Sequence, residues 1–396
     1  MNFDFATVDR LMFGAGRAAQ LPTVLAGLGS RVLVCTGAHP ERHGDLLSSL
    51  TLPQVVSTVD GEPTVDRART VTAAAREHGA DVVVGIGGGS VLDLAKTVAM
   101  LLTNGGDPLD YLEVVGRGRP ITRPSAPFLA VPTTAGTGAE VTANAVLTAP
   151  DERRLADPAQ VPAHEHSAKA SVRSPLMLAR VALVDPLLTV DCPPAVTASS
   201  GLDALTQCLE PLVSVRANPL TDGLAREGLR RAGSGLRRAY ADGADVAART
   251  DMAACAVAGG MALANAKLGA VHGFAGVLGA LAGVPHGMAC AAFLVPVVEA
   301  NLRALRDRKP GSPAVARYAE AARLLTGDPA ATTADGLDWL RETVARLRVP
   351  PVALDPAQGA DVVQRVARAS STQGNPVELT DDELHAVLAG ATSSPA

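Results

Sequence analysis

Strand-like and helix-like segments alternate through the first half of the chain, and this alternation restricts the fold more than any other feature. Residues 31–37, 54–59 and 80–85 are rich in β-branched side chains, and residues 64–78 carry alanine and valine at helical spacing. Strands that are joined through helices pair in parallel and place helices on both faces of the sheet. The pattern therefore predicts an α/β domain built on a parallel sheet.

A glycine-rich segment directly follows the strand at 80–85. It reads GIGGGS from Gly85 to Ser90 and runs into VLDLAK at Val91, which is a good helix start. Glycines at such a turn bring backbone N–H groups onto a phosphate at the positive end of the helix. The spacing does not fit GxGxxG, and an ordinary tight turn is the alternative. We expect a pyrophosphate-binding loop.

A loop rich in glycine and threonine follows another strand, at residues 128–131. It reads PTTAGTGAEVT from Pro132 to Thr142. Hydroxyls and exposed amides beyond the carboxyl end of a strand suit the ribose and phosphates of a nucleotide, because open α/β sheets bind ligands there. A Ser/Thr-rich hairpin turn is the alternative. The last strand of this half is Val181–Val184.

The composition changes after Pro193, where alanine and leucine become dominant. Apolar spacing predicts helices near residues 195–210, 219–240, 247–268, 287–304, 314–326, 333–347, 359–370 and 380–389. A chain of 396 residues exceeds what one core usually supports. We expect an α/β dinucleotide-binding domain over residues 1–186 and a helical metal and substrate domain over residues 187–396.

Asp203 and Gln207 lie four residues apart in a helical segment of this second half, so their side chains share one face. His272 and His286 are each followed by a glycine, which lets neighbouring backbone come close. A carboxylate and two imidazoles are ordinary ligands of a first-row divalent metal. This predicts an active site at these residues, and hydrogen-bonded core histidines are the alternative.

Charge and composition exclude several classes of partner. A net charge of −5, without any block of Lys or Arg, argues against a nucleic-acid or anionic-membrane surface and favours small-molecule partners. No basic region precedes an apolar run at the N-terminus, and no segment approaches twenty uncharged apolar residues. We expect a soluble, cytoplasmic protein.

The cysteines and the polar segments give weaker indications. Five dispersed cysteines are typical of reduced thiols, and Cys208 beside Gln207 is more readily a core residue than a nucleophile. Residues 151–166 are polar and poorly patterned, which indicates an exposed excursion. His164 and His166 flank Glu165 there, where a mobile loop is favoured over a metal site. We expect a frayed tail from Thr392.

Several of these motifs together resemble one family. They are GGGSVLDLAK at Gly87, PTTAGTGAE at Pro132, DPLLT at Asp185, GLDALT at Gly201 and the His-Gly pairs at His272 and His286. In this order they are similar to the iron-containing (group III) alcohol dehydrogenases. The resemblance implies a dehydroquinate synthase-like fold, with a nucleotide-binding α/β domain, an all-α domain and the active site in the cleft between them.

The resemblance also implies site residues. Asp203, His272 and His286 match three of the four metal ligands of the family, and together they would be the catalytic residues. Gln207 stands where the fourth ligand is usually histidine, and Gly276 stands where another histidine usually follows. The residues expected to bind NAD or NADP are Gly37, Gly87, Gly88, Gly89, Ser90, Asp93, Thr133, Thr134, Thr137, Asn144 and Lys169.

Gln207 leaves two mechanisms open. In one, Asp203, His272, His286 and water hold iron or zinc, with Gln207 as a weak or second-layer partner, since a neutral amide is a poor ligand for such ions. In the other, a histidine polarises the carbonyl without metal. Three protein ligands and an open position are themselves a catalytic geometry, which favours the metal.

The choice of dinucleotide has its own sequence signal. An acid after the first strand would hydrogen-bond the adenosine ribose and repel a 2′-phosphate. The chain has Gly37 there, followed by residues that include His39 and Arg42, which could reach a phosphate. We therefore expect NADPH to be accepted or preferred.

The expected function is the NAD(P)-dependent reduction of an aldehyde or ketone, or the reverse oxidation of an alcohol. A maleylacetate reductase-like enone reductase is the alternative within the family. A dehydroquinate synthase-like lyase and a nucleotide-binding protein without catalysis are the alternatives from other classes. We expect a homodimer or a larger homo-oligomer, as is usual in such families.

Overall fold

The computed structural model describes residues 2–150 and 167–392, which form two units. The first unit consists of Ala6–Thr134 and Gly138–Thr189, and the second of Met1–Phe5, Ala135–Thr137 and Val190–Ala396. The predicted excursion at 151–166, with His164, Glu165 and His166, lies outside the described residues, as does the chain after Thr392.

The first unit is built on a six-stranded parallel sheet. Its strands lie in the order β1-β8-β5-β4-β2-β3, and every neighbouring pair is parallel. The strands of this sheet are β1 (Arg10–Phe13), β2 (Val32–Gly37), β3 (Gln54–Val59), β4 (Val82–Gly87), β5 (Phe128–Pro132) and β8 (Val181–Val184). The central strands β4 and β5 are buried along their whole length, as in sheets that are covered on both faces. The predicted parallel α/β fold is confirmed.

The α-helices of this unit among the described residues are α1 (Leu21–Ala26), α2 (Gly44–Ser48), α3 (Val65–His78), α4 (Gly89–Asn104) and α5 (Pro108–Tyr111). Thr64 caps the N-terminus of α3, where its hydroxyl accepts a hydrogen bond from the Arg67 N–H. Gly79 ends α3 with φ 72°, a left-handed conformation that glycine adopts readily. Helix α4 is largely apolar and buries most of its residues, which fixes its position in the unit.

Three strands of the first unit were not expected from the sequence. Strand β1 has four residues and only Met12 fully buried, so it carries no alternating pattern. Strands β6 (Asn144–Pro150) and β7 (Ser167–Arg173) form a separate antiparallel pair, in which Thr148 lies opposite Lys169. The polar residues around these two strands conceal their alternation.

The second unit is helical. The helices that the structure describes here are α6 (Pro194–Val213), α7 (Pro219–Ala241), α8 (Val246–Asn265), α9 (Ala270–Leu281), α10 (His286–Arg308), α11 (Pro313–Thr326), α12 (Thr333–Arg346), α13 (Gly359–Arg368) and α14 (Asp381–Thr392). Their buried alanine, leucine and valine side chains form one large core. The all-α character predicted for this half is confirmed.

Helix α9 was missed in the sequence, where the interval between residues 268 and 287 was left without a helix. Its sequence, AVHGFAGVLGAL, contains three glycines, which weaken the helical signal. Burial of Phe274, Leu278 and Leu281 stabilises the helix despite them. At Gly273 a Cβ atom would come within 2.1 Å of the Thr372 hydroxyl, so this glycine permits close packing.

Helices α8 and α10 are long and apolar enough to cross a membrane by length and composition. Neither helix is a run of twenty uncharged apolar residues, since α8 contains Arg249 and Asp251 and α10 contains Glu299 and Arg303. In α8, 67% of the most apolar stretch is buried in the protein, and in α10 the share is 56%. Core helices of soluble proteins have this same property, so the two helices are weak evidence for a membrane.

Candidate active site

Helix α6 carries three polar side chains on one buried face. Asp203, Gln207 and Glu210 follow one another at spacings of four and three residues, which repeats once per helical turn. Their exposed fractions are 2%, 3% and 6%. A helix that buries three such groups requires polar partners for them, since burial without partners is unfavourable.

Those partners stand at the beginnings of two later helices. His272 lies in the first turn of α9 and is 5% exposed, and His286 is the first residue of α10. Cys290 is buried one turn after His286, on the same face of α10. Two helix starts therefore bring imidazole and thiol groups to α6.

The four side chains Asp203, His272, His286 and Cys290 meet in one cluster. Asp203 Oδ1 lies 3.3 Å from His272 Nε2 and 3.9 Å from His286 Nε2. Cys290 Sγ lies 3.8 Å from His286 Nε2. The four potential ligand atoms all lie within 4.8 Å of one another. The two histidines and the aspartate predicted as metal ligands thus come together, with a cysteine that was not predicted.

Three buried atoms in this region have no hydrogen-bond partner among the described residues. They are Asp203 Oδ1, Gln207 Oε1 and His272 Nε2. Almost all buried polar atoms in proteins are hydrogen-bonded, and an unpaired one costs about 1–3 kcal/mol. A divalent cation bound by the carboxylate and imidazoles satisfies such atoms directly. The donor set therefore fits a metal ion.

Glu210 fixes the orientation of the His272 ring. Its carboxylate accepts hydrogen bonds from the backbone N–H groups of Gly269 and Val271, at 2.9 and 2.7 Å, and its Oε2 atom lies 2.7 Å from His272 Nδ1. A carboxylate that already accepts two N–H groups acts as an acceptor here too, so Nδ1 donates. With an ion bound, His272 Nε2 would then present a lone pair on the side of Asp203, as metal-binding histidines require.

The charges of the cluster are mutually dependent. Burial opposes ionisation of Asp203, but His272 and His286 hold the pKa of this carboxyl below its ordinary value. Burial would lower the pKa of His272, yet Cys290, Glu210 and Asp203 raise it well above its usual range. Burial raises the pKa of the Cys290 thiol to about 12. Without an ion, a proton on His272 balances the buried carboxylates.

The glycine-rich and threonine-rich loops lie at the carboxyl ends of three adjacent strands. Gly37 ends β2, Gly87 ends β4, and Thr133 follows the last residue of β5. These strands are consecutive in the sheet order, and the Thr133 N–H donates to the Gly87 carbonyl at 3.0 Å. The three predicted cofactor segments therefore share one edge of the sheet, where open α/β sheets bind nucleotides.

The turn after β4 needs glycine because of close approach. A Cβ atom at Gly87 would lie 2.5 Å from Val91 Cγ2, and one at Gly88 would lie 3.4 Å from the Thr134 side chain. Helix α4 begins at Gly89, two residues earlier than the sequence indicated, so Gly89 and Ser90 lie in its first turn. Gly88 has no side chain with which to cap this turn, which leaves its N–H groups suited to an anion.

Asp93 and Lys96, in the next turn of α4, connect this helix to the threonine-rich loop. The fully buried Lys96 ammonium donates to the carbonyls of Ala139 and Asn144, at 2.8 and 2.7 Å. Asp93 Oδ2 accepts a hydrogen bond from the Val146 N–H at 3.0 Å. Burial raises the pKa of Asp93 to about 6. Both side chains therefore hold the loop and the start of β6 against α4.

The surroundings of two residues predicted to bind the cofactor, Lys169 and Thr137, differ from those of the glycine-rich turn after β4. Lys169 in β7 forms an ion pair with Glu62. Thr137 lies in the short stretch 135–137, which packs with the second unit rather than with the first. His39, which was considered for a 2′-phosphate, pairs with the exposed Glu41 at 3.0 Å.

Sequence reasoning missed Glu210, Cys290 and Lys96. Glu210 continues the helical spacing of Asp203 and Gln207, and Cys290 stands four residues after His286, so the same periodicity could have found both. Cys208 is fully buried in the helical core beside Cys255, as the sequence favoured. A lysine in an apolar helix gives no sequence signal of the carbonyls it contacts.

Two family models match almost the whole chain. The model described as "Iron-containing alcohol dehydrogenase" matches residues 9–186, and the one described as "Fe-containing alcohol dehydrogenase family, C-terminal" matches residues 197–392.

Individual relatives agree with these matches. Long-chain-alcohol dehydrogenase 1 of Geobacillus thermodenitrificans is 38% identical over 75% of this chain and 74% of its own length. The 4-hydroxybutyrate dehydrogenase of Cupriavidus necator is 34% identical over 99% of this chain and 91% of its own. A crystal structure of sulfoacetaldehyde reductase from Bifidobacterium kashiwanohense in complex with NAD+ is 28% identical, covers both chains completely and superposes with a TM-score of 0.85. The chain therefore belongs to the iron-containing (group III) alcohol dehydrogenase family, whose members are oxidoreductases acting on CH–OH groups.

Proposed function

We propose that this protein interconverts an alcohol and an aldehyde or ketone with NAD(P), and that Asp203, His272 and His286 hold a divalent ion next to the reacting oxygen. The family assignment supports the reaction class. The observation that carries the metal is the set of unpaired buried donor atoms, Asp203 Oδ1 and His272 Nε2 among them. An ion held there would draw charge from the carbonyl oxygen while hydride passes from the nicotinamide to the carbon.

The residues of the second unit have distinct tasks in this proposal. Asp203 supplies a full negative charge, since its pKa is held low. His272 is kept in the required tautomer by Glu210 and presents Nε2. The His286 side chain is 41% exposed, and we assign it to the side of the site that substrate reaches.

The first unit would bind the dinucleotide. The pyrophosphate would contact the turn formed by Gly87, Gly88, Gly89 and Ser90. The binding site would continue along the same edge of the sheet to Thr133 and Thr134. Gly37 places no carboxylate at the end of β2, so we propose that NADPH is accepted and preferred. Arg42 would neutralise the 2′-phosphate, whereas His39 is held by Glu41.

Metal-free catalysis is the second candidate, as in an enone reductase of the maleylacetate type. In that case His272 or His286 would donate a proton or hydrogen bond to the carbonyl. The raised pKa of His272 supports this reading. The metal mechanism is favoured by three buried atoms without a hydrogen-bond partner among the described residues, which are His272 Nε2, Asp203 Oδ1 and Gln207 Oε1. The family assignment supports an oxidoreductase over a lyase or a protein without catalysis.

Further features of the protein follow the same proposal. In this proposal, residues 1–186 form the domain that binds the dinucleotide, and residues 187–396 form the domain that binds metal and substrate. A cytoplasmic location without nucleic-acid or membrane partners agrees with the net charge of −5 and the free cysteines. A homodimer or larger homo-oligomer is proposed because such families usually associate.

The test is NADPH and NADH oxidation with a panel of aldehydes and ketones, before and after chelation. The panel should include sulfoacetaldehyde, the aldehyde of 4-hydroxybutyrate and long-chain aldehydes, because relatives carry these names. We expect turnover that chelation abolishes and a divalent ion restores. Turnover that survives complete metal removal would support the histidine mechanism, and its absence across the whole panel would count against the reaction class.

A further inference from the structure

We infer that the Cys290 thiolate supplies a fourth donor to the proposed ion, in place of the Gln207 amide, and that the site consequently prefers zinc to iron. This inference rests on the proposed metal site. The ion would be held by two anionic and two imidazole ligands, from Asp203, Cys290, His272 and His286.

The position of Cys290 is set by helix α10. His286 begins this helix and Cys290 follows four residues later, so one turn of helix stacks the two side chains. Their ligand atoms, Nε2 and Sγ, lie 3.8 Å apart. Because the backbone of α10 fixes this pair, an ion that His286 Nε2 binds on the side of Asp203 and Cys290 would also lie close to Cys290 Sγ.

The distances agree with a tetrahedral zinc site. Zinc binds imidazole nitrogen and carboxylate oxygen at about 2.0–2.2 Å and thiolate sulfur at about 2.3 Å, so neighbouring donors lie about 3.3–3.6 Å apart. The contacts in the cluster are 3.3 Å between Asp203 and His272, 3.9 Å between Asp203 and His286, and 3.8 Å between His286 and Cys290. All four ligand atoms lie within 4.8 Å of one another, so shifts of up to about an ångström would let the four donors share one ion.

Charge balance favours the thiolate over the amide. Asp203 is buried and carries one negative charge, and the charge of Glu210 is already engaged by His272 and two backbone N–H groups. A second anionic ligand would neutralise a divalent ion in this buried place, which Gln207 cannot do. A bound cation deprotonates a coordinating thiol, and the softness of sulfur selects zinc.

Gln207 would then serve a different purpose. It is 3% exposed, and its Oε1 atom has no hydrogen-bond partner in the part of the chain that the structure describes. The Gln207 side chain is neutral and lies one turn from Asp203, so it adds no charge to the four ligands of the proposed ion. We assign it to the hydrogen bonding of a molecule that enters the site.

Cobalt(II) substitution tests the sulfur ligand directly. The purified full-length protein would be stripped of metal and loaded with cobalt, and its visible and near-ultraviolet absorption recorded. A thiolate ligand produces a charge-transfer band, while the d–d bands report binding and geometry whatever the ligands are. The variants are Cys290→Ser, which replaces the sulfur with oxygen and keeps the shape of the side chain, and Cys255→Ala, which removes a buried cysteine of the helical core.

We expect the charge-transfer band in the unmodified protein and in Cys255→Ala, and its loss in Cys290→Ser. X-ray absorption at the zinc edge of the unmodified protein should show one sulfur neighbour, which keeps the test valid if Cys290→Ser does not fold. Cobalt d–d bands without a thiolate band would overturn the role of Cys290 and leave the metal site in place. If cobalt does not bind in a defined ratio, both the metal site and this inference are wrong.

Discussion

The Nδ1 atom of His272 lies 2.7 Å from the Oε2 atom of Glu210, and the opposite nitrogen of the same ring faces Asp203 at 3.3 Å. Glu210 and Asp203 stand seven residues apart on one helix, so α6 carries both the carboxylate that orients the imidazole and the carboxylate that lies beside it. This arrangement prepares His272 Nε2 to bind an ion, because the proton is held on the other nitrogen.

Replacing Glu210 with glutamine should weaken metal binding without removing a ligand. The amide would place an NH2 group among N–H donors and would no longer hold the His272 ring in its tautomer. We expect zinc affinity to fall by about 10–100-fold in a competition with a chromogenic chelator. Glu227→Gln on the exposed side of α7 is the matched control and should bind zinc normally. An unchanged affinity in Glu210→Gln would contradict the orienting role.

Replacing Gly37 with aspartate should shift the preference from NADPH towards NADH. A Cβ atom at Gly37 meets no heavy atom within 4 Å, so the start of a side chain fits there without displacing neighbours. Its carboxylate would repel a 2′-phosphate and accept hydrogen bonds from a free ribose.

Steady-state kinetics with both dinucleotides measure this shift. We expect the ratio of kcat/KM for NADPH to that for NADH to fall at least about tenfold, equivalent to about 1.4 kcal/mol. Gly311→Asp, at another glycine with space for a Cβ atom, is the control. A native protein with a much higher efficiency for NADH would refute the proposed preference.

Replacing Lys96 with methionine should impair dinucleotide binding although Lys96 contacts no solvent. The change keeps the length of the side chain but leaves the carbonyls of Ala139 and Asn144 without their ammonium donor. The threonine-rich loop would then lose its attachment to α4. We expect KM for the dinucleotide to rise by about tenfold or more, with kcat at saturation changed by less than about threefold.

The exposed Lys309→Met variant controls for loss of a positive charge, and thermal melting shows whether Lys96→Met still folds. A folded Lys96→Met protein with an unchanged KM for the dinucleotide would show that the buried lysine does not position the loop.

The buried Glu140 should make the protein less stable as the pH rises. Burial raises its pKa from 4.5 to about 7, so the folded state holds a proton that the unfolded state releases. The stabilisation from this group is complete below about pH 4.5 and is lost as the pH approaches 7. At about 1.4 kcal/mol per pKa unit, the change is about 3 kcal/mol.

Melting temperatures between pH 5 and 8 check this sign. The decrease with rising pH should be smaller in Glu140→Gln than in the unmodified protein, while the exposed Glu113→Gln should behave like the unmodified protein. An equal decrease of melting temperature with rising pH in all three proteins would mean that Glu140 does not carry its proton in the folded state.

Local patterns in the sequence were sufficient for most of the fold. The parallel sheet was predictable because β2, β3, β4, β5 and β8 are short apolar runs, most of them rich in β-branched residues. The helical half was predictable because its helices have regular apolar spacing. Helix α9 was not predictable in the same way, since Gly273, Gly276 and Gly279 lower its propensity and tertiary burial supplies its stability. Strand β1 has too few residues for any period to show.

Some residues of the candidate site could likewise be predicted from local sequence patterns, and others could not. Asp203, His272 and His286 could be named from spacing and from the family resemblance, whose motifs surround them. Helical spacing places Glu210 on the face of Asp203 and Cys290 on the face of His286, but the contacts between these faces depend on how the helices pack in the folded chain. The assignment of each residue to metal, proton or substrate stays a prediction.

The most direct test of the account is metal content and turnover in Asp203→Ala, with dinucleotide binding measured on the same protein. We expect about one divalent ion per chain in the unmodified enzyme. In Asp203→Ala we expect loss of the ion and a decrease in kcat of at least about a thousandfold. The dissociation constant of NADPH should stay within about threefold, because the first unit is unaltered. Intact turnover in metal-free Asp203→Ala would contradict the central claim.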